Sequence, residues 1–337
     1  MITISVCLIV KNEEKVLERG LKSLQGIYDE LIIVDTGSTD RTKEIAYQYT
    51  DKVYDFAWIN DFAAARNYMF SKATKEYIYV ADADEVIEPN EREKFLILKQ
   101  ALLPEIEIVQ MYYANQLDHN TTYNFDMEYR PKLYKRLRTF TWQDPIHESV
   151  VLEPVVFDSD IVISHRPTSN HGSRDFKLFQ KTIGRDGRLS KKLLMMYARE
   201  LFIAGADEDF LEAYDYFKEE MEAVNDIAQL RQVYPVLMRC ARIHKDAIAM
   251  LSFSTKAFAG ELTCSEVCYE LGEFYYEHSM YSEAILWYYN AAFESQTELN
   301  IKYQKELPLN RLVNCYEKLG DNEQVLHYRN LLQECQL

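Results

Sequence analysis

Two kinds of hydrophobic patterning divide the chain. In the first half, short apolar and β-branched runs at residues 2–10, 31–34 and 77–81, with a further short strand candidate at 49–54, alternate with stretches whose apolar residues lie three or four apart, such as Val16, Leu17, Leu21 and Leu24. Runs without polar alternation suit strands buried on both faces of a parallel sheet, and the intervening spacing suits the helices that cover it. Strand, helix, strand, helix, strand in this rhythm predicts a doubly wound α/β sheet. From Phe176 the β-branched runs disappear and helical spacing continues to the C-terminus. Two domains are therefore expected, 1–175 and 176–337.

The turns between these runs carry the first chemical signals. In Asp35-Thr36-Gly37-Ser38-Thr39-Asp40 the glycine permits a tight turn, and Ser38, Thr39 or Asp40 can cap a helix starting near Arg41. Asp61 reads as the N-cap of a helix that carries Arg66. Farther on, 86–103 reads as a helix, and 106–113 and 130–134 read as strands either side of a polar loop at 115–126. The basic segment 130–136 either faces a ligand or is a solvated edge strand. The run 161–165 is another apolar strand, ending in His165, and 166–173 is a Pro-, Ser-, Asn- and Gly-rich loop suited to a lid.

Parallel sheets bind ligands at the carboxyl ends of their strands. Residues 77–81 run straight into Asp82-Ala83-Asp84-Glu85. Two aspartates two apart on extended backbone point the same way, repel one another, and call for a partner charge. Mg2+ or Mn2+ meets that need, because hard cations take oxygen ligands and share them with substrate phosphates. Asp35 lies at another strand end, on the same rim as Asn12 and Glu13, where carboxylates can accept hydrogen bonds from a base or ribose. Arg66 can neutralise phosphate. No Gly-x-Gly-x-x-Gly or Walker loop appears, which removes the main support for dinucleotide and P-loop readings.

Composition narrows the partners. A chain of 337 residues can bury two cores, and its formal charge of −16 argues against nucleic acid or a polybasic membrane anchor. Six scattered cysteines, with Cys264 and Cys268 one helical turn apart, match neither a disulfide framework nor a zinc site. Met1 opens directly into the first apolar run without a basic leader, and that run is too short to span a bilayer, so a cytoplasmic location is expected.

Four ordered stretches then carry a resemblance. Residues 5–14, Ile33-Val34-Asp35-Thr36-Gly37-Ser38-Thr39-Asp40, Asn60-Asp61-Phe62 with Ala65-Arg66-Asn67, and Ala81-Asp82-Ala83-Asp84-Glu85 together resemble family 2 glycosyltransferases of the GT-A fold. The resemblance implies a mixed, mostly parallel sheet, a UDP-sugar donor and inversion at the anomeric carbon. It further implies that Val10, Asn12, Glu13, Asp35, Arg66, Asp82 and Ala83 line the donor site, with Asp35 near the base and Asp82 near the ribose or metal. Asp84 then holds the metal, and His165 is the third ligand candidate, since many such enzymes complete the shell with a late histidine. Glycosyl transfer needs a base for the acceptor proton. In related sequences a tryptophan precedes a His-Glu pair; here Trp142 precedes His147-Glu148, pointing to Glu148 as base and His147 as a positioning group. The intervening Asp144-Pro145 replaces the family's glycine and leaves Asp144 as a competing base.

In the second half, Tyr269-Glu270-Leu271-Gly272-Glu273-Phe274-Tyr275 followed by Ala284, Tyr288 and Ala291 resembles a tetratricopeptide repeat. Leu312, Tyr316 and Val325 echo it, as do Ala213 and Phe217, which predicts two to four helix pairs in an all-α solenoid. Such a surface can hold an extended peptide or a second copy of the chain. Family 2 domain, His-Glu pair and repeat-like tail together are similar to bacterial peptide glycosyltransferases of the sublancin type, although those can carry extra helices before the first strand. A peptide or protein acceptor, modified on Cys, Ser or Thr, is the expectation. Assembly of a cell-surface polysaccharide or lipid-linked glycan is the alternative within the class, and a catalytically inactive repeat adaptor the alternative outside it.

Overall fold

The computed structural model describes residues 1–114, 128–138, 140–146, 149–150, 154–166, 172–224 and 226–334. The chain divides into two compact units, Met1–His171 and Gly172–Leu337.

In the first unit the sequence lays down β1 (Ile4–Val10), α1 (Leu17–Leu24), β2 (Glu30–Asp35), α2 (Thr42–Tyr47), β3 (Val53–Asp55), α3 (Phe62–Lys72) and β4 (Tyr77–Ala81). There follow β5 (Glu85–Val86), α4 (Pro89–Ala101), β6 (Ile108–Ala114), β7 (Glu128–Lys135), the small hairpin β8 (Trp142–Gln143) and β9 (Ser149–Val150), and β10 (Val156–His165). Among the described residues eight strands form one sheet in the order β3-β2-β1-β4-β7-β6-β10-β5. The strands β3, β2, β1, β4, β6 and β10 run parallel, whereas β7 and β5 run against their neighbours. The sheet is thus mixed and mostly parallel.

Both faces are apolar because the strand sequences are apolar at odd and even positions alike. On one face Leu8, Tyr79, Val109 and Met111 pack with Leu17 and Leu21 of α1 and Phe95 of α4. On the other, Cys7, Ile32, Ile78 and Tyr134 pack with Ala63 and Met69 of α3 and with Trp142. Gly20 lets α1 lie close to the 83–85 turn: a Cβ there would sit 2.8 Å from the carbonyl oxygen of Ala83.

The basic segment 130–136 lies in and just beyond β7, which runs between β4 and β6 in the middle of the sheet, so the edge-strand reading of it is overturned. An antiparallel strand threaded between two parallel ones is set by long-range pairing, which local pattern does not encode. Its register slips between Val109↔Leu133 and Gln110↔Pro131, so β7 has one residue more than β6 at that point, Lys132. Such a bulge also accommodates Pro131, which has no N–H to give to a ladder.

The second unit comprises α5 (Gly172–Asp186), α6 (Lys191–Ala204), α7 (Asp207–Ala223), α8 (Ile227–Ile243), α9 (Ala247–Ala259), α10 (Ser265–Glu277), α11 (Tyr281–Tyr289), α12 (Glu306–Leu319) and α13 (Asn322–Glu334). Extensive packing joins α10 to α11 and α12 to α13, in the manner of tetratricopeptide helix pairs. Gly272 makes the first pair possible, since a Cβ there would lie 2.5 Å from the Tyr288 ring. Three buried glutamates of α10 lie along one stripe, each with its own partner. Glu266 accepts the N–H groups of Leu299 and Asn300 at 2.8 and 2.9 Å, Glu270 pairs with Arg242 at 2.7 Å, and Glu273 takes a two-point contact from Arg311. Cys7, Cys240, Cys264, Cys268 and Cys315 are buried free thiols. Among the described residues no helix is long and apolar enough to cross a membrane.

Candidate active site

The carboxyl ends of β1, β2 and β4 meet at one rim. Just beyond Val10, Asn12 adopts a left-handed conformation (φ 57°) and stitches two loops together. Its N–H donates to Ser38 Oγ at 2.9 Å, and its Oδ1 accepts the Thr39 N–H at 2.8 Å. The Glu13 N–H donates to Thr42 Oγ1 at 2.7 Å. Asp35, the last residue of β2, is 1% exposed, and its Oδ1 accepts the N–H groups of Gly37 and Ser38 at 2.9 Å each. Gly37 has φ +102°, a conformation open to glycine. The other oxygen, Asp35 Oδ2, is buried without a hydrogen-bond partner in the protein. A buried carboxylate oxygen left unpaired is costly, and a donor group on a ligand would satisfy it.

Asp82 and Asp84 are not on extended backbone. The Glu85 N–H donates to the Asp82 carbonyl at 3.2 Å, closing residues 82–85 into a turn, and the two aspartates meet different partners. Asp84 Oδ2 lies 3.1 Å from His165 Nε2, at the end of β10. Pairing of β5 with β10 sets Glu85 opposite His165 and so brings that histidine to the rim. Asp82 Oδ2 lies 3.5 Å from Lys132 Nζ. The same ammonium forms a close ion pair with Glu85 Oε1, and Glu85 Oε2 accepts the Asp82 N–H at 3.2 Å. Desolvation works to raise the Asp82 pKa, but Lys132 first, then Arg66 and a hydrogen bond with Glu85, hold its carboxyl well below the usual carboxylate range. For the buried Glu85 desolvation wins and pushes the carboxyl up. The Arg130 guanidinium lies 4.2 Å over the Tyr113 ring, and the His165 imidazole is centred 5.1 Å from the same ring.

A third group of contacts comes from α3. Asp61 caps it, accepting the Ala64 N–H at 2.9 Å, as its position before the alanine run predicts. The Phe62 N–H donates to the Pro145 carbonyl at 3.1 Å. Asn67 grips the Trp142 backbone in both directions, donating to its carbonyl at 3.0 Å and accepting its N–H at 2.8 Å. The Arg66 guanidinium lies 4.9 Å from the centre of the Trp142 ring. The helix thus pins the segment that runs into His147 and Glu148, both of which lie outside the described residues. Asp144 takes a left-handed conformation (φ 71°).

Lys132 and Asn67 fall within stretches that the sequence singles out, the basic segment and the Ala65-Arg66-Asn67 motif, but neither is picked out there for the contact it makes. A proline inside a strand-like run, Pro131, is the signal that could have flagged a bulge and its neighbour. For Asn67 no local signal exists, because its partner is 75 residues away.

Asp84 and His165 offer a carboxylate and an imidazole side by side, while Asp82 is turned to Lys132. No group of three His, Cys, Asp or Glu among the described residues gathers closely enough to hold a metal by itself. The pair fits an ion that takes its remaining oxygens from a substrate, which is the usual arrangement for Mg2+ with phosphates.

A nucleotide-type rim on a mixed sheet, followed by repeat-like helices, is the arrangement of a GT-A glycosyltransferase domain with a tetratricopeptide-like tail. Residues 5–151 match the family model for glycosyl transferase family 2. The SPbeta prophage-derived glycosyltransferase SunS of Bacillus subtilis is 28% identical over 235 residues, which is 65% of this chain and 53% of SunS. A TPR repeat-containing protein of Synechococcus elongatus is 46% identical over 85 residues, 25% of this chain and 21% of that one. This chain therefore spans about half the length of SunS and about a fifth of the Synechococcus protein. Among solved structures, glucosyl-3-phosphoglycerate synthase of Mycobacterium tuberculosis in complex with Mn2+ and UDP-glucose aligns with a TM-score of 0.40 at 16% identity, covering 56% of this chain and 80% of that chain.

Proposed function

We propose that this chain is an inverting, divalent-cation-dependent glycosyltransferase that moves a hexose from a UDP-sugar to a Cys, Ser or Thr side chain of a peptide or protein. The observation that carries the reading is one rim of the sheet, where an orphaned Asp35 oxygen, an ionised Asp82 and Asp84, all within the stretch that matches the family 2 model, are joined by His165 from the end of β10.

Each residue then has a task. Asp35 Oδ2 accepts an N–H of the uracil, with the loops of Val10, Asn12 and Glu13 stitched around it. Asp82 accepts from ribose hydroxyls beside Ala83. Asp84 and His165 would hold Mg2+ or Mn2+, which when bound neutralises the departing diphosphate. Arg66 adds positive charge on the same side. Glu148 removes the acceptor proton and His147 positions the acceptor, at the end of the segment pinned by Asn67. Attack opposite the leaving group in one displacement inverts the anomeric carbon. The peptide acceptor is supported by the resemblance to sublancin-type enzymes and by the stacked helices, whose surfaces suit extended chains. Buried reduced thiols accord with a cytoplasmic setting.

A thermal-shift screen of UDP-sugars with Mn2+ or with chelator tests the donor half. At a hundredfold excess over Kd the right donor stabilises by about 2.7 kcal/mol. The Asp84→Ala protein should fold normally and lose the Mn2+-dependent part of that gain. A wild-type protein that ignores every UDP-sugar overturns the reading.

A further inference from the structure

Lys132 is the extra residue at the β7 bulge. A bulge bends its strand and re-aims a side chain, and here it turns an ammonium out of a central strand into the 82–85 turn. Lys132 is 5% exposed; its Nζ contacts Glu85, lies 3.5 Å from Asp82 Oδ2 and sits 5.1 Å from the centre of the Tyr113 ring. The Asp82 side chain, by contrast, is 47% exposed. A buried positive charge therefore lies directly beneath a carboxylate that is open to ligand.

A buried ion pair adds little net stability over apolar side chains of the same volume. The distinctive effect of this one is on Asp82, since an ammonium at that distance attracts the carboxylate and repels any cation that approaches it. We propose that Lys132 is a positioning residue that divides the labour of the two aspartates, reserving Asp82 for the donor's ribose hydroxyls and leaving Asp84 and His165 as the cation's protein ligands. The proposal rests on the donor site described above and deepens it. One consequence is ordered loading. With two protein ligands among the described residues, and with Lys132 nearby, the free protein holds the ion weakly, and the diphosphate supplies the missing oxygens.

Calorimetry with Mn2+ alone, and with UDP in the presence of chelator, reads both halves. Lys132→Met should bind Mn2+ about tenfold more tightly without nucleotide and UDP about tenfold more weakly without metal, and Lys132→Arg should restore both toward the wild type. A folded Lys132→Met protein with both affinities unchanged overturns the role. Should that variant fail to fold, the double variant Lys132→Met, Glu85→Gln, which leaves no lone buried charge, gives the same readout. Independently, Asp82→Asn at its exposed position should weaken UDP and leave Mn2+ binding intact, and a loss of Mn2+ affinity equal to that of Asp84→Ala overturns the division. Wild-type protein that binds neither Mn2+ nor UDP defeats the glycosyltransferase reading itself, whereas binding of both with unresponsive variants defeats only the role of Lys132.

Discussion

Asp35 illustrates how a single carboxyl group at a strand end can be both structural and chemical. One oxygen closes its own turn through Gly37 and Ser38, and the other is buried without a partner in the protein, where the proposed reaction gives it the donor's base to bind. In the 82–85 turn the same side-chain type meets three environments: Lys132 beside Asp82, His165 beside Asp84, and burial around Glu85. Spacing along the chain does not distinguish these, because each partner arrives from a distant strand. The base assigned by resemblance belongs to this scale too. Glu148→Gln should retain UDP affinity by calorimetry and lower transfer by at least about 100-fold, the typical contribution of a general base. Loss of donor affinity would make Glu148 a ligand instead.

Among elements, β1, β2 and β4 end where the apolar runs end, because a strand buried on both faces leaves no ambiguity about its length. Glu30 ties these strands together. Its carboxylate pairs with Lys52, accepts from Ser5 Oγ of β1, and accepts the N–H and hydroxyl of Thr74 at 2.8 and 2.9 Å. Burial alone would raise its pKa, but these partners override it and hold the group at about 2, against an ordinary 4.5. A depressed folded-state value means the stabilisation is complete above about pH 4.5 and fades as pH falls toward 2. Urea denaturation should therefore show about 2 kcal/mol lost over that window, and Glu30→Gln should flatten the loss. An equally steep loss in the variant would assign acid sensitivity elsewhere. The strand β7 is the element whose place in the sheet its own residue pattern does not determine. Its basic residues suit a solvated edge as well as a site, and only pairing with β4 and β6 selects the centre.

On the scale of the molecule, the chain forms two compact units, to which the proposed reaction assigns separate tasks. The isolated unit Met1–His171 should still bind UDP with Mn2+ by calorimetry and fail to modify any peptide that the full chain glycosylates. Retained transfer would assign acceptor recognition to the sheet unit. Much at this scale is legible from sequence, since the change from β-branched runs to helical spacing foretells a sheet followed by helices. The pairing of α10 with α11 is legible as well, in Gly272 and Tyr288. By itself the sequence determined what is local or periodic: the strands buried on both faces, the acidic residues that end them, the cap at Asp61, and the helical tail. Tertiary structure alone decided the central position of β7, the bulge that aims Lys132 at Asp82, the meeting of Asp84 with His165, and the grip of Asn67 on Trp142. Those outcomes depend on pairing between residues tens of positions apart, and the energies that select such pairings come from strands and charges that touch only after the chain has folded.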